Sequence, residues 1–307
     1  MLPIVHHPDY QAPLREGHRF PMSKYGYLRE ALLARGLMTP GRYFAPAPAT
    51  AGQIGLAHDR SYVDRVLAQT LRPEEVRRIG LPGTEQVARR ARLSAAGTYL
   101  AALLALEHGL AANSAGGSHH AGPEGGAGFC VFNDVAVAIR NLLAQGHGGR
   151  VLVVDCDVHQ GDGTARIFEG DERVFTFSLH AANNYPMQKA PSDLDIALTD
   201  GTGDTDYLVA LEAGLERALA AARPSIVFYN AGVDIWEGDR LGRLAVSLEG
   251  LRARDAAVLT RLRAAGLPTV AVIGGGYGDS PAQVAERHTI LFEEAARVAE
   301  GALSRAG

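Results

Sequence analysis

The fold is decided by the sequence of residues 150–163, which reads RVLVVDCDVHQGDG. Residues 150–156 form a continuous apolar run rich in valine, and such runs are typical of strands that are covered on both faces. Three further runs of this kind follow at 174–179, 225–230 and 269–273. Helical patterns lie between them, and the alternation of strands with helices predicts a mostly parallel central sheet with helices on both faces.

The rest of the chain is expected to be mainly helical. The spacing of apolar residues predicts helices at 23–35, 85–109, 133–145, 204–222, 250–265 and 281–300. With 307 residues, 47% of them hydrophobic, the chain can bury the core of one large domain. No internal repeat and no linker long enough to separate domains interrupts the pattern. We therefore predict a single α/β domain over residues 1–307.

Composition excludes several classes of function. The 30 lysines and arginines against 34 aspartates and glutamates give a net charge of −4, which disfavours direct nucleic-acid binding. The most apolar stretch, 95–112, contains Glu107 and His108 and is predicted to be a core helix, not a membrane span. No secretory signal is visible, and Cys130 and Cys156 form no disulfide framework. We expect a cytoplasmic protein without a membrane partner. The sequence does not determine the oligomeric state.

Chemically active side chains follow the ends of the predicted strands. Ligands of open parallel sheets bind beyond the carboxyl ends of the strands, so these side chains are expected to converge at one edge. A glycine-rich loop at 116–129 adds two adjacent histidines. The candidates are His119 and His120 in this loop, Asp155, Asp157, His159 and Asp162 after the first strand, Asp234 after the third and Tyr277 after the fourth.

Asp157, His159 and Asp234 are candidate ligands of a metal ion. Asp157 and His159 are two residues apart beyond a strand, so both can point to one spot, and Asp234 can reach it from a neighbouring strand. One neutral imidazole and two carboxylates hold a divalent cation and leave positions open for water and substrate. The alternative is a turn in which Asp157 caps a helix and His159 is satisfied by hydrogen bonds. That alternative would leave buried carboxylates unpaired, which is disfavoured.

His119 and His120 could be an ordinary surface pair, but two acidic residues remain to partner them. Asp155 and Asp162 can each accept the ring N–H of one histidine, which fixes its tautomer and raises its basicity. Two such dyads beside a metal site predict a general base and a general acid. Tyr277 offers an O–H to a developing oxyanion. Its alternative is a core tyrosine, for which the flanking glycines provide little local packing.

These motifs, in their order along the chain, resemble the zinc-dependent histone deacetylase family, and most of all its bacterial and class IV branch. The likeness covers about residues 21–292. It rests on GGSHH at 116–120, GFCVFND at 128–134, DCDVHQGDG at 155–163, SLH at 178–180, NAGVDIWEGDRLG at 230–242 and GGGY at 274–277. The resemblance implies an arginase-like α/β fold. It also implies hydrolysis of an acylated amine, typically an N-acyl-lysine of a peptide or protein, by metal-bound water.

The resemblance implies catalytic roles for the residues that match. His120 matches the general base and acid, with Asp162 behind it. His119 matches the partner of His120 and is kept polarised by Asp155. Tyr277 matches the tyrosine that polarises the scissile carbonyl.

The resemblance further implies two kinds of bound ion. The divalent ion is Zn²⁺, with Fe²⁺ as the alternative in the cell, and its ligands match Asp157, His159 and Asp234. An inner K⁺ ion would offset part of the charge of the crowded carboxylates. Its ligands match the side chains of Asp155 and Ser178 and the carbonyls of Asp157, His159 and Leu179.

The substrate tunnel matches the family only in part. Gly128 and Phe129 match one wall, and Gly275 is also expected at the substrate. The opposite wall is often a phenylalanine after Ser-Leu-His; here it is either Tyr185 or open. An acidic rim residue that grips the substrate backbone in some relatives has no clear counterpart within 71–93. Its candidates are Glu74, Glu75 and Glu85.

Three other functions compete with that of an acyl-lysine deacylase. A binuclear manganese ureohydrolase is rejected, because Asp157-x-His159-x-x-Asp162 has the wrong spacing and the second ion lacks ligands. An acetylpolyamine or other small-molecule amidohydrolase uses the same catalytic set and stays open. A non-catalytic regulatory module of the same fold is disfavoured, because Asp234 and Tyr277 are both present.

Overall fold

A seven-stranded parallel sheet forms the centre of the molecule. The computed structural model describes residues 2–39, 41 and 43–303, without the side chains of 302 and 303, so residues 1, 40, 42 and 304–307 of the predicted domain lie outside it. The strands are β1 (Ile4–Val5), β2 (Leu110–Asn113), β3 (Val151–Asp155), β4 (Val174–Ala181), β5 (Leu194–Leu198), β6 (Ile226–Asn230) and β7 (Thr269–Val272). Their order is β1-β2-β7-β6-β3-β4-β5, and each neighbouring pair is parallel, which confirms the predicted sheet.

The helices form two groups, one on each face of the sheet. They are α1 (Lys24–Ala34), α2 (Ala51–Ile54), α3 (Arg60–Leu67), α4 (Pro73–Ile79), α5 (Glu85–His108), α6 (Asp134–Ala144), α7 (Asp162–Phe168), α8 (Asp204–Ala222), α9 (Leu248–Ala264) and α10 (Pro281–Leu303). Helix α5 packs on α6, whereas α8, α9, α10 and α1 pack on one another in that order. Both α5 and α10 contact β2 from different groups, so helices cover both faces, as predicted. None of the described helices is long and apolar enough to cross a bilayer.

The predicted strands and helices are present, with ends that differ by no more than three residues. The sequence patterns miss β1, β2, β5 and four short helices. Strand β2 reads LAAN and lacks the branched apolar residues that mark a strand. The core helix predicted at 95–112 is therefore wrong at its end: it stops at His108, Gly109 caps it in the left-handed conformation (φ 85°), and Leu110 begins β2.

The strand order places a crevice between β3 and β6. From β3 the chain continues outwards to β4 and β5, and it then returns to β6 on the other side of β3. Ligands of parallel sheets bind at such a reversal, beyond the carboxyl ends of the strands. Asp155 at the end of β3 lies in register with Asn230 of β6 and with Ser178 of β4. All residues of β3 and β6 are buried, so this edge of the sheet is held by the core.

Candidate active site

Asp157, His159 and Asp234 meet in the crevice, as their positions after β3 and β6 predict. All three are buried, and one ligand atom of each lies within 4.8 Å of the others. His159 Nδ1 is 3.0 Å from Asp157 Oδ1 and 3.2 Å from Asp234 Oδ2. One ring nitrogen cannot align with both oxygens, and Asp234 Oδ2 forms no hydrogen bond among the described residues. This donor set, with its unsatisfied carboxylate oxygen, fits a divalent cation.

The triad is held by main-chain donors and carries an excess of negative charge. Gly275 N donates to Asp157 Oδ2 at 2.7 Å, and Val158 N donates to Asp234 Oδ1 at 3.0 Å. Burial and then the charge of Asp157 raise the pKa of Asp234. Burial alone would lower the pKa of His159, but the two neighbouring carboxylates of Asp157 and Asp234 raise it to about 10. The two carboxylates therefore favour a positive charge between them.

Gly275 lies beneath the triad. Its main chain bonds to Asp157, and a Cβ atom added at this position would lie 2.1 Å from Asp234 Oδ2. No larger residue therefore fits without moving a candidate ligand. Its expected role at the substrate stays a prediction. The observed contact is with the carboxylates.

The two predicted His–Asp dyads are both formed. His119 Nδ1 lies 2.6 Å from Asp155 Oδ2, and His120 Nδ1 lies 2.6 Å from Asp162 Oδ1. Burial would lower the pKa of His119, but the charges of Asp155 and Asp157 raise it to about 9. Burial and then the charge of His119 lower the pKa of His120 to about 4. The two neighbouring rings therefore differ in charge near pH 7, where His119 is cationic and His120 is neutral.

Tyr277 lies beside the triad, with its ring 6.3 Å from that of His159 and nearly perpendicular to it. Burial and then the charge of Asp234 raise its pKa well above the ordinary value, so its hydroxyl keeps its proton and can donate. Tyr277 N donates to Asp239 Oδ2 at 2.6 Å, and Asp239 Oδ1 accepts from Leu241 N at 2.9 Å. Asp239 thus fixes the tyrosine main chain. The NAGVDIWEGDRLG motif contains Asp239, but the motif alone gives it no role.

A cavity of about 370 Å³, called the outer cavity below, leads from the surface to these side chains. His120, His159 and Tyr277 line it together with Gly128, Phe129, Tyr185 and Leu241. Phe129 adopts φ 66°, which is rare for a residue other than glycine, and its N–H donates to Ile79 O at 2.7 Å. The Tyr185 ring packs edge-on against His120 at 4.8 Å. The predicted tunnel residues Gly128 and Phe129 thus share one cavity, and Tyr185 occupies the wall that the sequence left undecided.

The mouth of this cavity is not formed by the candidate acidic rim residues Glu74, Glu75 and Glu85. Glu75 is buried and pairs with Arg65 at 2.7 Å, and neither Glu74 nor Glu85 lines the cavity. The mouth carries Arg19, Arg78 and Arg243 instead. No motif contains Arg19 or Arg78, so sequence patterns gave no signal for them.

A second cavity, called the inner cavity below, shares the lining residues His120, Phe129 and Tyr277 with the outer one. Its volume is about 30 Å³. The lining includes Tyr25, Gly117, Cys130 and Gly274 together with His119, His120 and Asp157 of the site. A cavity of this size takes a group of one or two heavy atoms, since about 10–15 Å³ suffices for one water.

Comparison with known proteins decides the family. Residues 18–292 match the histone deacetylase domain family. The chain belongs to the histone deacetylase family. Histone deacetylase 2 of Arabidopsis thaliana is 32% identical over 276 residues, which cover 87% of this chain and 71% of that protein. An uncharacterized protein of Picosynechococcus sp. is 47% identical over 293 residues, which cover 95% of this chain and 98% of that protein.

Solved structures show the same deacetylase fold. The crystal structure of a histone deacetylase homologue complexed with SAHA has a TM-score of 0.81 at 24% identity, covering 96% of this chain and 84% of that chain. The HDA15 HD domain has a TM-score of 0.79, also at 24% identity, covering 96% and 90%. Histone deacetylases depend on a metal ion, usually zinc, and this family member has a buried triad that fits one. Its assignment to the bacterial class IV-like branch stays a prediction.

Proposed function

We propose that this histone deacetylase family member hydrolyses acetylated amines, with N-acetyl-lysine of peptides or proteins as the substrate class. The observation that carries the proposal is a single cavity lined by His159 of the buried Asp–His–Asp triad, by the neutral His120 and by the protonated Tyr277. A non-catalytic module of this fold would have no use for all three. The proposed substrates are acylated and neutral at the nitrogen that becomes the leaving amine.

Asp157, His159 and Asp234 would hold one divalent ion, Zn²⁺ or Fe²⁺. When bound, such an ion makes water nucleophilic at neutral pH and polarises a carbonyl oxygen. The rest of the site supplies the proton transfers and the orientation. A K⁺ ion beside Asp155 and Ser178 is also proposed, because these buried residues are register partners on β3 and β4.

His120 is the residue proposed to move the proton. Asp162 engages its Nδ1, so Nε2 is the nitrogen free to accept a proton from the attacking water. The lowered pKa keeps the ring neutral and ready to accept near pH 7. As the C–N bond breaks, protonated Nε2 gives its proton to the amine, and Asp162 stabilises the cation in the meantime. The negative charges of Asp155 and Asp157 keep His119 protonated, so that it holds a positive charge beside this transfer.

Tyr277 is proposed to donate its O–H to the carbonyl oxygen as negative charge develops there. The Asp239 contact to its main chain keeps the tyrosine at the triad. The walls formed by Gly128, Phe129 and Tyr185 would enclose the methylene chain of the amine and exclude water around it. The acyl group would face the inner cavity, whose 30 Å³ suits the methyl of an acetyl group and not a long chain.

The test is an assay of the purified protein after loading with Zn²⁺ or Fe²⁺. Acetyl-lysine and myristoyl-lysine peptides of one sequence are compared, and the metal content is measured in parallel. We expect one ion per chain and turnover of the acetyl peptide at least about tenfold above that of the myristoyl peptide, since the inner cavity holds a methyl-sized group. Full metal loading without turnover of any acylated amine would contradict the proposal and favour a non-catalytic role.

A further inference from the structure

The mouth of the outer cavity is lined by three exposed arginines. Arg19, Arg78 and Arg243 border the same cavity as His120 and Tyr277. Among the described residues, no aspartate or glutamate lines this cavity. The whole chain has a net charge of −4, so the positive mouth is a local feature and not a consequence of overall composition.

Most of this positive charge is available to a ligand. Arg19 makes no ion pair or hydrogen bond with any residue that the structure describes. Arg78 donates from Nε to Gly126 O at 2.9 Å, and within the described chain its terminal nitrogens form no ion pair. Arg243 lies 3.1 Å from Asp200, but both side chains are more than a third exposed, so this pair is weak.

The pockets around the mouth carry charges of both signs. Arg15 and Arg77 share an adjoining pocket with Arg19 and Arg78. Asp279 shares a pocket with Arg19 and pairs with Arg240, whereas Glu124 and Glu169 share a pocket with Arg78. None of these three acids lines the outer cavity. A cleft lined by one sign of charge concentrates ligands of the opposite sign.

We propose that the arginine mouth, formed by Arg19, Arg78 and Arg243, recognises a carboxylate on the amine side of the acylated substrate. This inference rests on the proposed function. A guanidinium presents two parallel N–H groups that match the two oxygens of a carboxylate. The preferred substrate is therefore an acetyl-lysine with carboxylates beside it, and acetylated polyamines, which are cations, are poor substrates.

The carboxylate has two sources, and matched substrates distinguish them. One set is a peptide with acetyl-lysine flanked by glutamate, glutamine or lysine. The other set is free Nε-acetyl-lysine and its α-amide, with N-acetylspermidine as the cationic comparison. We expect kcat/KM to fall about tenfold from the glutamate to the lysine peptide, the scale of one or two exposed ion pairs, mainly through KM. A preference for free Nε-acetyl-lysine over its amide, without a peptide effect, assigns the mouth to the substrate's own carboxylate.

The double variant Arg19→Gln/Arg78→Gln tests whether these side chains cause the preference. It should reduce the ratio between the glutamate and lysine peptides to within about twofold, because two of the three arginines that would pair with the glutamates are lost. Arg297→Gln, an exposed arginine near the end of α10, is the matched control and should keep the full ratio. The inference is overturned by a ratio that survives in the double variant. It is also overturned if the unmodified protein shows equal kcat/KM for the three peptides and equal kcat/KM for free Nε-acetyl-lysine and its amide.

A binding measurement separates this inference from the proposed function. Dissociation constants of the same peptides are determined by calorimetry on the metal-loaded protein. If no substrate is turned over, the proposed function fails, yet the glutamate peptide should still bind about tenfold more tightly than the lysine peptide. Free Nε-acetyl-lysine and its amide are measured in the same way. Equal dissociation constants within both substrate sets overturn the inference even where turnover is normal.

Discussion

The floor and the mouth of the outer cavity carry opposite charges and are built in opposite ways. The floor is formed by His120, His159 and Tyr277, and the buried carboxylates of Asp157 and Asp234, which follow strands of the central sheet, lie next to His159. The mouth holds exposed arginines such as Arg19 and Arg78, which lie before α1 and in α4. Buried groups on a rigid sheet have fixed positions, whereas exposed side chains on surface segments are mobile. On the proposed function, the floor would set the reaction and the mouth would set the choice of substrate.

A charge removed from the buried floor should cost more stability than a charge removed from the exposed mouth. Removing one partner from a buried charged cluster costs about 3–5 kcal/mol, because the remaining charges are left uncompensated. An exposed ion pair contributes about 0.2–1 kcal/mol. Substitutions on the floor should therefore be the more disruptive ones, and those at the mouth should have smaller effects that depend on the substrate.

The largest effect is expected for Asp234→Asn. The variant keeps the shape of the side chain and removes its charge, so the triad loses a charged ligand. We expect metal content well below one ion per chain and a loss of activity of more than about 100-fold, since even indirect contacts to a metal site cost 10–100-fold. Elemental analysis and a chelation experiment measure this: zinc should restore the chelated unmodified protein but not the variant. A fully loaded variant would show that Asp234 is not a ligand.

Replacement of the two histidines should separate their roles. His120→Ala removes the neutral ring that accepts the proton, and it should lower kcat by about 10²–10⁴-fold, the usual range for a general base. His119→Ala removes only the neighbouring cation and should cost much less. Steady-state kinetics of both variants, with metal content as the control, decides the assignment. Small and equal losses would contradict it.

Tyr277→Phe should keep the ring, the fold and the metal while it removes one hydrogen-bond donor. We expect kcat to fall by about 10²–10³-fold, the scale for one donor to a developing oxyanion. KM should change much less, because the bond strengthens mainly in the transition state. Kinetics on the best acetyl-lysine peptide measures this. Full activity of the variant would remove Tyr277 from the mechanism.

The contrast between floor and mouth also explains what the sequence could predict. Asp157, His159 and Asp234 follow continuous apolar strands, and parallel strands bring their carboxyl ends to one edge, so convergence follows from the strand pattern. The pairing of His119 with Asp155 follows from the same principle, because both residues lie at this edge of the sheet. These residues are buried charges, and the cost of burying a charge restricts them to paired arrangements.

The mouth could not be predicted in this way. Arg78 lies in the short helix α4, and Arg19 lies in a segment without regular structure, so no periodic pattern marks either residue. The acidic residues searched for near α4 proved misleading, because Glu75 is used inside the molecule to bind Arg65 and Arg72. Strand β2 was missed for a related reason: its alanines fit a helix as well as a strand, and only its neighbours in the sheet decide between them.

The smallest effect, and the most selective one, is the response to salt. Raising the ionic strength from about 0.01 M to 0.15 M shortens the Debye length from about 30 Å to 8 Å, which screens exposed charges but hardly affects buried ones. For the glutamate-flanked peptide, kcat/KM should fall about two- to fivefold through KM, as exposed pairs of up to about 1 kcal/mol are weakened. The lysine-flanked peptide should gain slightly, and the glutamine-flanked peptide should change little. Arg19→Gln/Arg78→Gln should flatten all three responses. If kcat instead falls equally for every peptide, salt acts on the floor, and the division between a catalytic floor and a selective mouth is wrong.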